Sequence, residues 1–134
     1  MATASGIAKG YYENHTPLPT FGTGKGCNKQ PCKGYCDHYV AMFFGLPSSG
    51  FNSAAEHWAE MPASKKLTGW QPGALAFFNG GTYGHIAIGD MSEGMVYSTD
   101  VTQTAGGYVG HKSTDWVAKW NKGNFVGWYK PWFK

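Results

Sequence analysis

Arginine is absent from the 134-residue chain, so all eleven basic side chains are lysines. Nucleic-acid-binding proteins normally use the planar guanidinium group to contact base edges and phosphates. The absence of arginine therefore argues against a nucleic-acid partner. The net charge of +3 fits either an ordinary protein surface or a weak attraction to an anionic polymer.

Charged residues are also scarce, at 14% against 42% hydrophobic residues, and this balance argues against disorder. The length predicts a single domain over residues 1–134. The longest apolar run, residues 39–46, is interrupted by Gly45 and is too short to cross a bilayer, so no membrane insertion is expected. Residues 1–6 have neither a charged leader nor an apolar stretch, and they are not expected to form a signal peptide.

Cysteine is rare, and its three copies are close together at Cys27, Cys32 and Cys36. An odd number leaves at least one thiol outside any intramolecular disulfide. The simplest arrangement is a Cys27–Cys32 disulfide with a reduced Cys36, and three buried thiols are the alternative. A metal site that also uses His38 is a third alternative, although the spacing matches no paired two-residue knuckle.

The pattern of apolar residues changes along the chain. Residues 1–33 are rich in turn-forming residues and predict an irregular N-terminal segment, which leaves a core over 34–134. Helical spacing comes first and short strand patterns follow, an order typical of an α+β domain. In such a domain we expect the helices, including the N-terminal ones, to pack on one face of a small antiparallel sheet. The predicted elements are helices over 36–44 and 53–61, strands over 74–78, 84–89 and 95–99, a helix over 113–120 and a strand over 125–129.

Cys36 is the candidate nucleophile because it lies where a glycine-containing loop meets the first strong helix. The positive end of the helix dipole and the free N–H groups favour the thiolate there. The alternative is a buried structural cysteine.

His85 is the candidate base, because it is the only one of five histidines that starts an apolar strand. His57, by contrast, is expected on the surface of the second helix. A third polar group usually orients the imidazole, and Asp100, at the end of the next strand, is the candidate for it. The alternative for Asp100 is an ordinary turn residue.

Three segments together resemble a known family: Gly34-Tyr-Cys-Asp-His-Tyr-Val-Ala, Pro72-Gly-Ala-Leu-Ala-Phe-Phe and Gly84-His-Ile-Ala-Ile. They are similar to the CHAP and NlpC/P60 superfamily of papain-like cysteine peptidoglycan hydrolases, over roughly residues 33–100. The resemblance implies a papain-like fold with Cys36 as the nucleophile and His85 as the base. It also implies a polar orienting residue on the next strand, which offers Ser98, Thr99 and Asp100.

Further site residues follow from the same resemblance. Gln30 lies six residues before Cys36, the spacing at which papain-type peptidases place an oxyanion-stabilising glutamine, although an ordinary loop residue is the alternative. The segments around the two catalytic residues place Tyr35, Asp37 and Tyr83 at the substrate groove.

The resemblance implies hydrolysis of an amide bond in the peptide part of bacterial peptidoglycan, through a thioester, by an endopeptidase or an N-acetylmuramoyl-L-alanine amidase. It implies no cofactor, a monomer, and action on the cell wall, as a secreted enzyme or a phage-type lysin. Two alternatives remain open. One is a non-catalytic wall-binding module that uses residues 125–133, with Trp128 and Trp132, and the other is a secreted toxin or effector with the same Cys–His pair.

Overall fold

A five-stranded antiparallel sheet in the order β4-β3-β2-β1-β5 organises the chain. The computed structural model describes residues 1–19, 35–99, 101 and 107–134. Its elements are α1 (Ala2–Glu13), α2 (Tyr35–Phe43), α3 (Ala54–Glu60), a short 3-10 helix (Ala63–Lys65), β1 (Leu75–Phe78), β2 (His85–Gly89), β3 (Val96–Ser98), β4 (Gly110–Lys112), α4 (Thr114–Asn121) and β5 (Phe125–Tyr129).

The central strands β1 and β2 are buried on both faces. Phe77 lies opposite Ile86, and Phe78 lies opposite His85. Because successive side chains of a strand point to opposite faces, these two pairs belong to different faces of the sheet. The Phe77–Ile86 face packs against α2 and α3, and the Phe78 face packs against Val117 of α4.

The helices therefore cover both faces of the sheet, which corrects the expectation of helices on one face. The N-terminal helices do pack on the sheet as expected. Helix α4 packs on the opposite face, where its Val117 is fully buried against Ala76 and Phe78. The alanines on β1 and β2 on this side leave room for a second helical layer.

Helix α1 corrects the second expectation, because residues 2–13 are helical and not irregular. Gly6 and Gly10 lower the intrinsic helix propensity of this segment. Its buried side chains are small, namely Ala4, Ser5 and Ala8, and they allow the helix to pack closely. The Ser5 hydroxyl donates to the Gly89 carbonyl oxygen at 2.7 Å, which ties α1 to the end of β2. Tertiary contacts thus outweigh local propensity.

The other expected elements are confirmed to within one or two residues. Ser53 caps helix α3, because its hydroxyl accepts the Glu56 backbone N–H at 3.1 Å. Strand β4 was not expected, and it pairs antiparallel with β3. Within the described residues, no helix is both long and apolar enough to span a membrane.

Candidate active site

Cys36 lies in the first turn of α2 and carries a reduced thiol that is 1% exposed. Its side chain packs in an apolar cluster with Val40, Phe77 and Ile86. The helix terminus favours the thiolate, whereas the apolar surroundings favour the neutral thiol. Attack on a substrate therefore requires that the thiol become accessible and that a base take its proton.

His85 is the first residue of β2, and its imidazole is buried. Its Nε2 lies 2.7 Å from the Ser98 hydroxyl, which in turn donates its single proton to the Thr99 carbonyl oxygen at 3.1 Å. With its proton on the Thr99 carbonyl, the hydroxyl accepts from His85, and in this assignment Nε2 carries the imidazole proton. This bond leaves the lone pair on Nδ1, the nitrogen able to act as a base.

The surroundings of His85 are aromatic. The Trp120 ring meets the imidazole edge-on at 4.9 Å, and the Phe78 ring lies at 6.0 Å. Burial lowers the pKa of His85 from 6.5 to about 3. The imidazole is therefore neutral at pH 7, as a general base must be before it takes a proton.

The structure places Cys36 against the strand that carries His85, but on the other side of it. Cys36 packs with Ile86, the neighbour of His85 in β2. The His85 ring lies with Phe78 and Trp120 on the opposite face. Direct proton transfer from Cys36 to His85, which the sequence predicts, therefore needs a rearrangement at the start of β2, and the catalytic pair stays a prediction.

Asp37 and His57 form a buried pair beside Cys36. Both side chains are fully buried, and His57 Nδ1 lies 2.6 Å from Asp37 Oδ1. His57 Nε2 lies 2.6 Å from the Trp132 carbonyl oxygen. Two sequence-based expectations are thereby corrected: His57 is not on the surface of α3, and Asp37 does not line an open groove.

The geometry of this pair fixes its proton count. A carbonyl oxygen only accepts hydrogen bonds, so His57 Nε2 carries a proton. One further proton lies between Nδ1 and Asp37, which makes the pair neutral overall. Its bonds join α2, α3 and the C-terminal segment, and they hold the first turn of α2, where Cys36 lies. Sequence alone gave no signal for this contact between residues twenty positions apart.

The remaining predicted residues fall into two groups. Tyr83 is exposed next to the start of β2, and its carbonyl oxygen accepts the Ala55 N–H at 2.8 Å; its role in a groove stays a prediction. Helix α2 begins at Tyr35. The other predicted positions, together with the Tyr35 side chain, lie outside the described residues: Gln30, Cys27, Cys32 and Asp100. On β3, the described residue that contacts His85 is Ser98.

A second polar cluster lies at the other end of β2 and had no counterpart among the sequence-based predictions. Asp90, Glu93 and His111 place one potential ligand atom each within 4.8 Å of one another. The sequence gave no sign of it because β4, which carries His111, was not expected. Comparisons with protein-family models, with curated proteins and with solved structures found no match to this chain.

Proposed function

We propose that the chain is a cysteine-dependent hydrolase that cleaves amide bonds in the peptide part of bacterial peptidoglycan, with a papain-like arrangement. One observation carries the proposal: a reduced thiol at the start of a helix packs against the strand that begins with a neutral histidine. This is the order of elements that the CHAP and NlpC/P60 resemblance implies. The cell-wall substrate rests on that resemblance alone.

In the proposed reaction, the Cys36 thiol gives its proton to His85 Nδ1 and its sulfur attacks the amide carbonyl carbon. The imidazolium then protonates the departing amine, which leaves a thioester on Cys36. Water attacks the thioester with His85 again as the base, and the acid product leaves with the thiol restored. Ser98 holds Nε2 throughout, so Nδ1 is the nitrogen that takes up and returns the proton.

The proposal requires the thiol and the imidazole to come into contact when substrate binds. Catalytic hydrogen bonds are often long in unbound enzymes and shorten only in the complex. Bringing Cys36 and His85 into contact from opposite faces of β2 is a larger change than the shortening of a hydrogen bond. The coupling of the two residues therefore needs a separate test. Exchanging Cys27 and Cys32 for serine leaves Cys36 as the only thiol in the chain. The alkylation rate of that thiol against pH, with and without His85→Gln, then measures the coupling.

The main experiment mixes the protein with purified peptidoglycan and identifies released fragments and new amine ends by mass spectrometry. Wild type is compared with Cys36→Ser and His85→Gln. His15→Asn is the matched control, because His15 is exposed and has a positive φ that asparagine tolerates. We expect release by the wild type and the control and none by the two site variants. Equal release by Cys36→Ser would overturn the proposal.

A wall-binding module is the second outcome of the same experiment. If no variant releases fragments while all of them sediment with the wall, the binding function replaces the hydrolytic one. The C-terminal strand β5 offers partly buried aromatic side chains, including Trp128, for such a role.

A further inference from the structure

The second polar cluster lies where β2 ends. Asp90 follows Gly89 directly and is 1% exposed. Its Oδ1 accepts the backbone N–H groups of Glu93 and Gly94 at 3.1 and 3.0 Å. Its Oδ2 lies 2.7 Å from His111 Nε2 on β4. The backbone thus fixes one carboxylate oxygen, and the other points towards the imidazole.

An open cavity of about 260 Å³ lies against this cluster. Its walls include Glu13 and Lys9 from α1, together with Asp90, Glu93 and His111. Three carboxylates thus face one lysine, so the cavity carries an excess of negative charge when His111 is neutral. The cavity therefore favours a cation.

The spacing of the ligand atoms suits a metal ion. Potential ligand atoms of Asp90, Glu93 and His111 lie within 4.8 Å of one another. The Asp90 Oδ2–His111 Nε2 distance of 2.7 Å is close to the roughly 3 Å that separates neighbouring ligand atoms around an ion with bonds of about 2.1 Å. The Tyr97 ring stacks on the His111 imidazole at 5.0 Å and holds its orientation.

We propose that Asp90, Glu93 and His111 bind a divalent transition-metal ion, with the remaining coordination positions open to the cavity. One imidazole and two carboxylates suit ions such as Mn²⁺ or Zn²⁺ better than Ca²⁺, which takes oxygen ligands. The ion joins the turn after β2 to strand β4.

This site is separate from the one around Cys36 and His85. His85 is the first residue of β2 and Asp90 follows the last, so the strand of five residues separates them by about 17 Å. The metal site therefore does not depend on the proposed hydrolysis, and each proposal can fail without the other.

Manganese is the probe of choice because Mn²⁺ prefers oxygen and nitrogen ligands over the sulfur of cysteine. The electron paramagnetic resonance signal of free Mn²⁺ is titrated against the wild type, Glu93→Gln and His111→Gln. Glu60→Gln and His15→Asn are the matched controls, because both residues lie outside the cavity. Circular dichroism confirms that each variant is folded.

We expect one Mn²⁺ bound per chain, with Kd raised at least about tenfold in Glu93→Gln and His111→Gln and unchanged in the controls. Bound Mn²⁺ also raises the Tm of the wild type and not that of Glu93→Gln, because an ion that binds only the folded chain stabilises it. Absence of binding, equal binding by the site variants, or binding of Ca²⁺ without Mn²⁺ would overturn the assignment.

Discussion

His57 and His85 are both buried, but their surroundings give them different chemical roles. His57 has an oxygen partner at each ring nitrogen, Asp37 on one side and the Trp132 carbonyl on the other. His85 has Ser98 at Nε2 and aromatic rings around it, and burial lowers its pKa to about 3. A histidine with both nitrogens occupied holds structure together, whereas one with a lone pair available can move a proton.

The largest difference between the two histidines is expected in the rate of peptidoglycan hydrolysis. We expect His85→Gln to lower peptidoglycan hydrolysis by about 10²- to 10⁴-fold, the usual contribution of a general base, without unfolding the chain. His57→Gln should instead lower the amount of folded protein, with hydrolysis per folded molecule closer to wild type. Fragment release normalised to folded protein measures both effects. Equal losses per folded molecule would remove the proposed difference in roles.

The free energy of unfolding, in contrast to activity, should depend mainly on the pair that His57 forms with Asp37. Asp37→Ala leaves His57 Nδ1 buried without its partner, and we expect a loss of about 3 kcal/mol in the free energy of unfolding. Urea denaturation followed by tryptophan fluorescence measures this loss. Asp37→Asn keeps an oxygen acceptor and should cost less. If both variants are as stable as the wild type, the pair does not tie α2 to α3.

The pH dependence of stability tests the surroundings of His85. Its pKa is lowered from 6.5 to about 3 in the folded state, so between these values the unfolded chain binds the extra proton. The contribution of His85 to the free energy of unfolding is therefore fully present above pH 6.5. It falls as the pH drops towards 3, by about 1.4 kcal/mol per pH unit. From pH 7 to pH 5 we expect a loss of about 2 kcal/mol from this group.

The control for this prediction is urea denaturation of the His85→Gln variant at pH 7 and at pH 5. This variant should lose that part of the pH dependence, while other titrating groups contribute equally to both proteins. An unchanged difference between pH 7 and pH 5 would mean that the imidazole is not held neutral by burial.

The smallest effect is expected for an exposed ion pair, which serves as the reference for the buried one. Lys134 Nζ lies 2.5 Å from Glu60 Oε1, and both side chains are more than a third exposed. We expect Glu60→Gln to change the free energy of unfolding by less than about 1 kcal/mol, since solvent screens such pairs. A loss as large as that of Asp37→Ala would show that burial is not what distinguishes the two pairs.

Local patterns predicted the elements that local forces determine. Ser53 caps α3 because its hydroxyl reaches an N–H three residues away. The apolar run that begins at His85 predicted β2, which pairs antiparallel with β1. Helix α1 and strand β4 were missed because their glycines weaken the local signal, and packing against distant residues stabilises them.

In the candidate site, too, some features follow from local sequence and others only from tertiary packing. Sequence alone identified Cys36 at the start of a helix and His85 at the start of a strand, since both properties depend on neighbours in the chain. Only the tertiary structure decided on which side of β2 each group lies, which carboxylate meets His57, and that Asp90 meets His111. Those contacts join residues far apart in sequence, and they depend on how helices and strands pack, which no local pattern specifies.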